Sequence, residues 1–131
     1  MIRHVISMIC KDIIVDQTTN LVSYINCLEE LTTVKLPIKV NFQVGTLWEK
    51  DTNDKEVLKM KIILEAPSKK RDKVFESKDM EMHKKRHRVN IFVNGINVEE
   101  EGIYTIIIEH LTNDRWQTDN KINLEVKHKQ Q

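Results

Sequence analysis

His83-Lys-Lys-Arg-His-Arg88 packs four cations and two imidazoles into six consecutive residues. Three kinds of chemistry are open to such a run. His83 and His87 are four apart, which on a helix would put both rings on one face and let them chelate zinc. On a strand they would lie ~13 Å apart, too far to share an ion. No HExxH glutamate and no neighbouring cysteine pair accompany them. The run leads directly into the alternating segment Val89–Val93, so strand geometry is expected and a metal is not. The second chemistry is phosphate binding. Lys69, Lys70, Arg71, Lys73, Lys78, Lys84, Lys85, Arg86 and Arg88 outnumber Asp72, Glu76, Asp79 and Glu81 between residues 68 and 88. Such a patch could track a nucleic-acid backbone. Only Phe75 is available there for base stacking, whereas single-strand binders use several aromatics. The third reading is a solvated connection whose charges keep an exposed strand edge from pairing with other chains. It is the expected one, and Lys69, Lys70, Arg71, Lys84, Lys85, Arg86 and Arg88 are the residues of the nucleic-acid alternative.

Other reactive groupings are sparse. The three glycines, Gly45, Gly95 and Gly102, are too scattered for a phosphate-cradling loop. Asp51, Asp54 and Asp114 lie in turn-like segments, but calcium loops carry denser acidic spacing. Cys10 and Cys27 sit among apolar residues and read as small core fillers with reduced thiols. A disulfide between them would require their strands to be neighbours. Trp48 and Trp116 stand at strand ends beside polar turns, where an indole either caps the core or anchors a partner. No catalytic residue, metal ligand or cofactor is expected.

The elements that must position these residues are strands. Ile38, Val40, Phe42 and Val44 alternate with Lys39, Asn41 and Gln43. The same period of two runs through Leu58–Leu64, Val89–Val93, Tyr104–Ile108 and Ile122–Val126. Alternation places one face in a core and the other in water. Val5–Val15 and Leu21–Leu28 are also strand-like. Asp16–Asn20, Asp51–Asp54, Asn94-Gly95 and Thr112–Asp114 read as turns between strands. A single alanine, Ala66, against many isoleucines and valines argues against a helical bundle. The expected fold is all-β: one antiparallel sandwich over residues 1–131, immunoglobulin-like or C2-like, with seven or eight strands. Residues 67–88 are its least regular stretch.

Glu99-Glu-Glu-Gly-Ile-Tyr104 leads into Thr105-Ile-Ile-Ile. Gly102 two residues before Tyr104, at the start of a late strand, has the form of a tyrosine corner. In such a corner the phenol bonds back to the chain before the strand. The stretches Cys10–Glu30, followed by Pro37, and Val98–Tyr104 resemble a family of small bacterial and phage proteins without a known activity. The resemblance covers most of the chain and implies a β-sandwich. It supplies no catalytic residue, and it does not extend to the basic run.

Lys and Arg total 21 against 20 Asp and Glu, a net charge of +1. A dedicated DNA-binding domain carries a clear basic excess, so a nucleic-acid partner is not expected from bulk charge. No stretch approaches the ~18 apolar residues of a membrane helix. The N-terminus, broken by Arg3, His4 and Lys11, does not read as a secretion signal. A cytoplasmic protein is expected, with no membrane partner. The functional expectation is a non-enzymatic protein-interaction module of bacterial or phage origin, binding another protein through a sheet edge or loop face. Self-association of an open edge into a homodimer belongs to the same expectation. The alternative is a nucleic-acid-associated accessory protein using residues 69–88.

Overall fold

Apolar alternation becomes strand almost wherever the sequence shows it. A computed structural model describes residues 1–129; Gln130 and Gln131, the end of the expected 1–131 span, lie outside the described residues. The strands are β1 (Ile2–Val15), β2 (Val22–Cys27), β3 (Glu30–Thr33), β4 (Ile38–Lys50), β5 (Glu56–Leu58) and β6 (Met60–Glu65). They continue with β7 (Arg71–Glu76), β8 (Met80–Met82), β9 (Arg86–Val98), β10 (Gly102–Thr112) and β11 (Arg115–His128). Among the described residues there is no helix. One sheet runs β2-β1-β4-β9, a second runs β3-β11-β10-β6-β7, and β5 and β8 form a separate ribbon.

Among the described residues, eleven strands in three sheets replace the seven or eight expected in one antiparallel sandwich. The additional strands have a physical reason to escape notice. β3 has four residues and β5 and β8 three each, too short to display a period. β7 is an edge strand of its sheet, with Arg71, Asp72 and Lys73 exposed, so charge masks its half-buried Val74 and Phe75. β3 also lies parallel to β11, pairing Glu30 with Glu125 and Thr33 with His128, so this sheet is mixed. Asn94-Gly95, read as a turn between strands, is instead a break inside β9, where Gly95 takes φ 72°.

The two larger sheets share one apolar core. Ile9, Phe42, Val44 and Trp48 meet Ile62, Ile106, Ile108, Leu124 and Val126 in a single buried cluster. Each such side chain contributes about 1.5–3 kcal/mol when fully withdrawn from water. Polar ties cross the same interior. Asn120 Nδ2 on β11 donates to Ser7 Oγ on β1 at 2.7 Å. Lys50, only 4% exposed, donates from Nζ to the carbonyls of Asp54 and Met82, each at 2.6 Å. Those bonds fasten the end of β4 to the β5–β8 ribbon and satisfy a cation that burial would otherwise penalise.

At the opposite end the chain enters β10 through Gly102 and Tyr104. Gly102 has φ 128°, and a Cβ there would stand 2.8 Å from Pro67 Cγ, so both backbone and space demand glycine. The Tyr104 ring is buried; its hydroxyl donates to the Glu100 carbonyl at 3.1 Å and accepts from the Glu100 N–H at 3.3 Å. This back-bonding holds the crossover from β9 to β10 against the core.

Candidate functional site

The basic run divides at the start of β9. His83, Lys84 and Lys85 form the connection from β8, and Arg86, His87 and Arg88 open the strand. β9 is an edge: its neighbour in the sheet is β4, and its other side faces away from the sheet. The Lys50 N–H donates to the Lys85 carbonyl at 2.9 Å, which sets the phase of the antiparallel ladder. Backbone polar groups alternate sides along such a strand. His87, Val89, Ile91 and Val93 therefore turn theirs toward β4, and Arg86, Arg88, Asn90, Phe92 and Asn94 turn theirs to the open side.

Side-chain exposure follows the same alternation. Ile91 and Val93 are buried, whereas Arg86, Arg88, Asn90 and Asn94 are exposed and Phe92 is 61% exposed. The open ladder ends in a bulge, where the register with β4 shifts between Val40 and Phe42. There the Gly95 N–H donates to Asn41 Oδ1 at 2.6 Å. The usable edge thus runs from Arg86 to Asn94, roughly 30 Å of unpaired backbone. One end carries cations and the other a bulge, and both are devices that discourage indiscriminate edge pairing.

The charges on this edge are unequal. Arg86 Nε lies 3.1 Å from Glu49 Oε1, and Glu49 also holds Arg3. Lys84, Lys85 and Arg88 have no ion-pair partner among the described residues. His87 points inward opposite Trp48, and its pKa is lowered by burial and by the neighbouring charge of His83. Lys69, Lys70 and Arg71 lie elsewhere. They occupy the β6–β7 turn and the start of β7, and Lys70 lines a recess with Asn97, Glu99 and Tyr104. That recess is at the far end of β9 from Arg86, so the structure does not bring the two halves of the sequence's basic segment together. Arg71 is moreover paired with Glu65 at 3.3 Å.

The two tryptophans separate. Trp48 has no exposed surface and packs edge-on between His4 and His110, with ring centroids 5.3 Å from each. It is a core residue and is unavailable as a partner anchor, because the second sheet closes over the end of β4. Trp116 at the β10–β11 turn is half-buried, with Lys61 Nζ 4.2 Å from its ring centroid.

Around Trp48 lies a polar cluster that the sequence did not disclose. His110 Nδ1 is 2.7 Å from Asp119 Oδ2, and both side chains are nearly fully buried. Trp48 Nε1 donates to Thr46 Oγ1 at 2.8 Å, and that hydroxyl donates to the Val89 carbonyl at 2.8 Å. His4 faces the same group from β1; its Nε2 is buried without a hydrogen-bond partner. Burial lowers the His4 pKa and His110 lowers it further, against an opposing pull from Asp119. The Asp119 carboxylate fixes the orientation of the His110 ring. Among the described residues, His110 makes its side-chain hydrogen bond to Asp119 rather than to a nucleophile. The signal in the sequence was His110 closely following the apolar run Ile106–Ile108, which is weak by itself.

Of the two cysteines expected to fill the core, only Cys27 departs from expectation. Cys10 is buried, but Cys27 is exposed and so is not a core filler. Their strands are neighbours, and the two residues face each other in register.

No family model matches the chain. No curated protein matches it either. Among solved structures it is similar to part of the Pseudomonas fluorescens alkylpurine DNA glycosylase AlkC, bound to DNA containing an abasic site analogue. The TM-score is 0.57 at 9% identity, over 96% of this chain and 30% of that chain. It is also similar to part of the Listeria innocua β-glucosidase in complex with glucose, with a TM-score of 0.49 at 10% identity over 79% of this chain and 15% of that one. The chain therefore spans less than a third of the glycosylase, and the likeness is one of fold.

Proposed function

We propose that the protein is a non-enzymatic interaction module that receives an extended segment of another protein on the open edge of β9. The observation carrying this reading is the unpaired backbone from Arg86 to Asn94, bounded by cations and by a bulge. Strand addition draws affinity from main-chain hydrogen bonds and specificity from alternate side chains. Phe92 offers an apolar contact at the centre. Lys84, Lys85 and Arg88 favour an acidic segment and disfavour a basic one. We read the two larger sheets as the faces of an immunoglobulin-like or C2-like sandwich, supported by their shared core and by the Tyr104 corner.

The test exploits the phase of the ladder. Asn90→Pro removes an N–H that points to the open side, leaving the β4–β9 bonds intact. Amide shifts of the folded protein are recorded with an acidic, β-branched peptide, with its basic counterpart, and with a DNA oligonucleotide. The expected result is perturbation at Arg86, Arg88, Asn90, Phe92 and Asn94 by the acidic peptide alone, lost in Asn90→Pro. Salt-sensitive DNA binding, removed by changing Lys84, Lys85, Arg86 and Arg88 to serine, would replace this reading with the nucleic-acid one.

A further inference from the structure

We propose that Cys10 and Cys27 are a covalent modification site: they form a reversible cross-strand disulfide by exchange with a low-molecular-weight disulfide. The register places Cys10 of β1 directly opposite Cys27 of β2. The Leu28 N–H donates to the Ile9 carbonyl at 2.9 Å, so the Ile9–Leu28 pair is the hydrogen-bonded one. The adjacent pair, Cys10–Cys27, is then the non-hydrogen-bonded kind, in which Cα atoms approach to about 4.5 Å and side chains leave on the same face. Disulfides span Cα separations of about 4.4–6.8 Å, so the pairing brings the two residues within the range a bridge requires. The ladder is also interrupted next to this pair. Asn26 takes φ 53°, and regular pairing resumes at Asp12 opposite Ile25. Cys27 thus ends β2 beyond a local break, where its side chain can rotate to the dihedral a disulfide requires.

The unequal exposure of the two thiols assigns the order of events. Cys27 is exposed and Cys10 is not. Burial pushes the Cys10 thiol up, and the nearby Cys27 pushes it further, so Cys10 is a poor first nucleophile. The Cys27 thiolate attacks one sulfur of the small disulfide. The S–S bond breaks, one small thiolate leaves and takes up a proton, and Cys27 carries a mixed disulfide. Cys10 then gives up its proton and attacks the Cys27 sulfur, expelling the second small thiolate. In sum, two protein thiols lose two electrons and two protons, and one small disulfide becomes two thiols.

The bond would close the β1–β2 hairpin, whose Tyr24 and Ile13 side chains lie against Gly45 of β4. A Cβ at Gly45 would stand 2.5 Å from Tyr24 Cε1, so the hairpin is seated on the sheet it would be clamped to.

The experiment incubates the folded chain with oxidised glutathione, blocks remaining thiols by alkylation, and measures intact mass. The wild type should lose two hydrogens, retain no glutathionyl group, and recover both thiols with reductant. Cys10→Ser should stop at one glutathionyl group on Cys27, and Cys27→Ser should stay unmodified while folded. A stable glutathionyl adduct on wild-type Cys27 with Cys10 still alkylatable would overturn the proposal. So would a disulfide-linked dimer, or two free thiols after prolonged exposure to the oxidant. The wild-type measurement decides the matter by itself should Cys10→Ser lose its fold.

Discussion

Thr46→Val probes the packing around Trp48 at a single hydroxyl. Thr46 and Trp48 have no exposed surface, and valine keeps the shape of threonine, so little changes beyond the polar atom. That oxygen accepts from Trp48 Nε1 and donates to the Val89 carbonyl, both at 2.8 Å. Valine leaves the indole N–H buried and unpaired, at a cost of about 1–3 kcal/mol, and forfeits a second bond of about 0.5–1.5 kcal/mol. The Val89 carbonyl stays within the β4–β9 ladder and adds little more. The expected loss is about 2–4 kcal/mol. Urea unfolding followed by tryptophan fluorescence should show the midpoint falling by about 1–2 M, for a slope of about 2 kcal/mol per M. The mechanism is isolated by repeating the substitution in a Trp48→Phe background, where the orphaned donor no longer exists. There Thr46→Val should cost only about 1 kcal/mol, giving a coupling of about 1 kcal/mol or more between the two positions. Equal costs in both backgrounds would refute the argument, because threonine would then be acting through something other than the indole.

Tyr104→Phe removes both hydrogen bonds to Glu100 and should destabilise the domain by about 0.5–1.5 kcal/mol, since water can reach the freed backbone; an unchanged denaturation midpoint would reduce Tyr104 to a packing role. His4 is held neutral by burial, so its folded pKa lies below the ordinary 6.5. The unfolded chain then binds the proton more readily, and stability, complete above about pH 6.5, should fall as pH drops below it. His87 shifts in the same direction. The His4 share is the part of the pH slope that His4→Phe removes in thermal melts from pH 7.5 to 5; a slope identical in wild type and variant would show that His4 protonates freely in the fold.

Much of the architecture was written locally. A period of two in Ile38–Val44, Leu58–Leu64 and Ile122–Val126 commits each segment to extended backbone with one dry face, because a strand has no other way to segregate its side chains. Asp16–Asn20 and Thr112–Asp114 terminate strands through their own turn chemistry, and Asn113 and Asp114 take φ 51° and 60° as a tight hairpin requires. Gly102 and Tyr104 announced their corner because its parts lie within a few residues of each other. What spans the chain was not legible. Nothing near Trp48 says that His4 will face it across the β1–β4 pair or that His110 will close on it, since the first contact needs one particular register and the second exists only when one sheet is laid over the other. Lys69–Arg71 and Lys84–Arg88 look like one basic segment, yet folding sends them to opposite ends of β9. Asn94-Gly95 carries the residues of a turn but serves as a bulge, because pairing with β4 continues on both sides of it. The facing of Cys10 and Cys27 depends on a hairpin register that their spacing alone leaves open. Side-chain periodicity is a property of one strand and can be read from one strand. Which strands become neighbours, in what register, and which becomes an edge depends on the energy of the whole core, and only the assembled sheets reveal it.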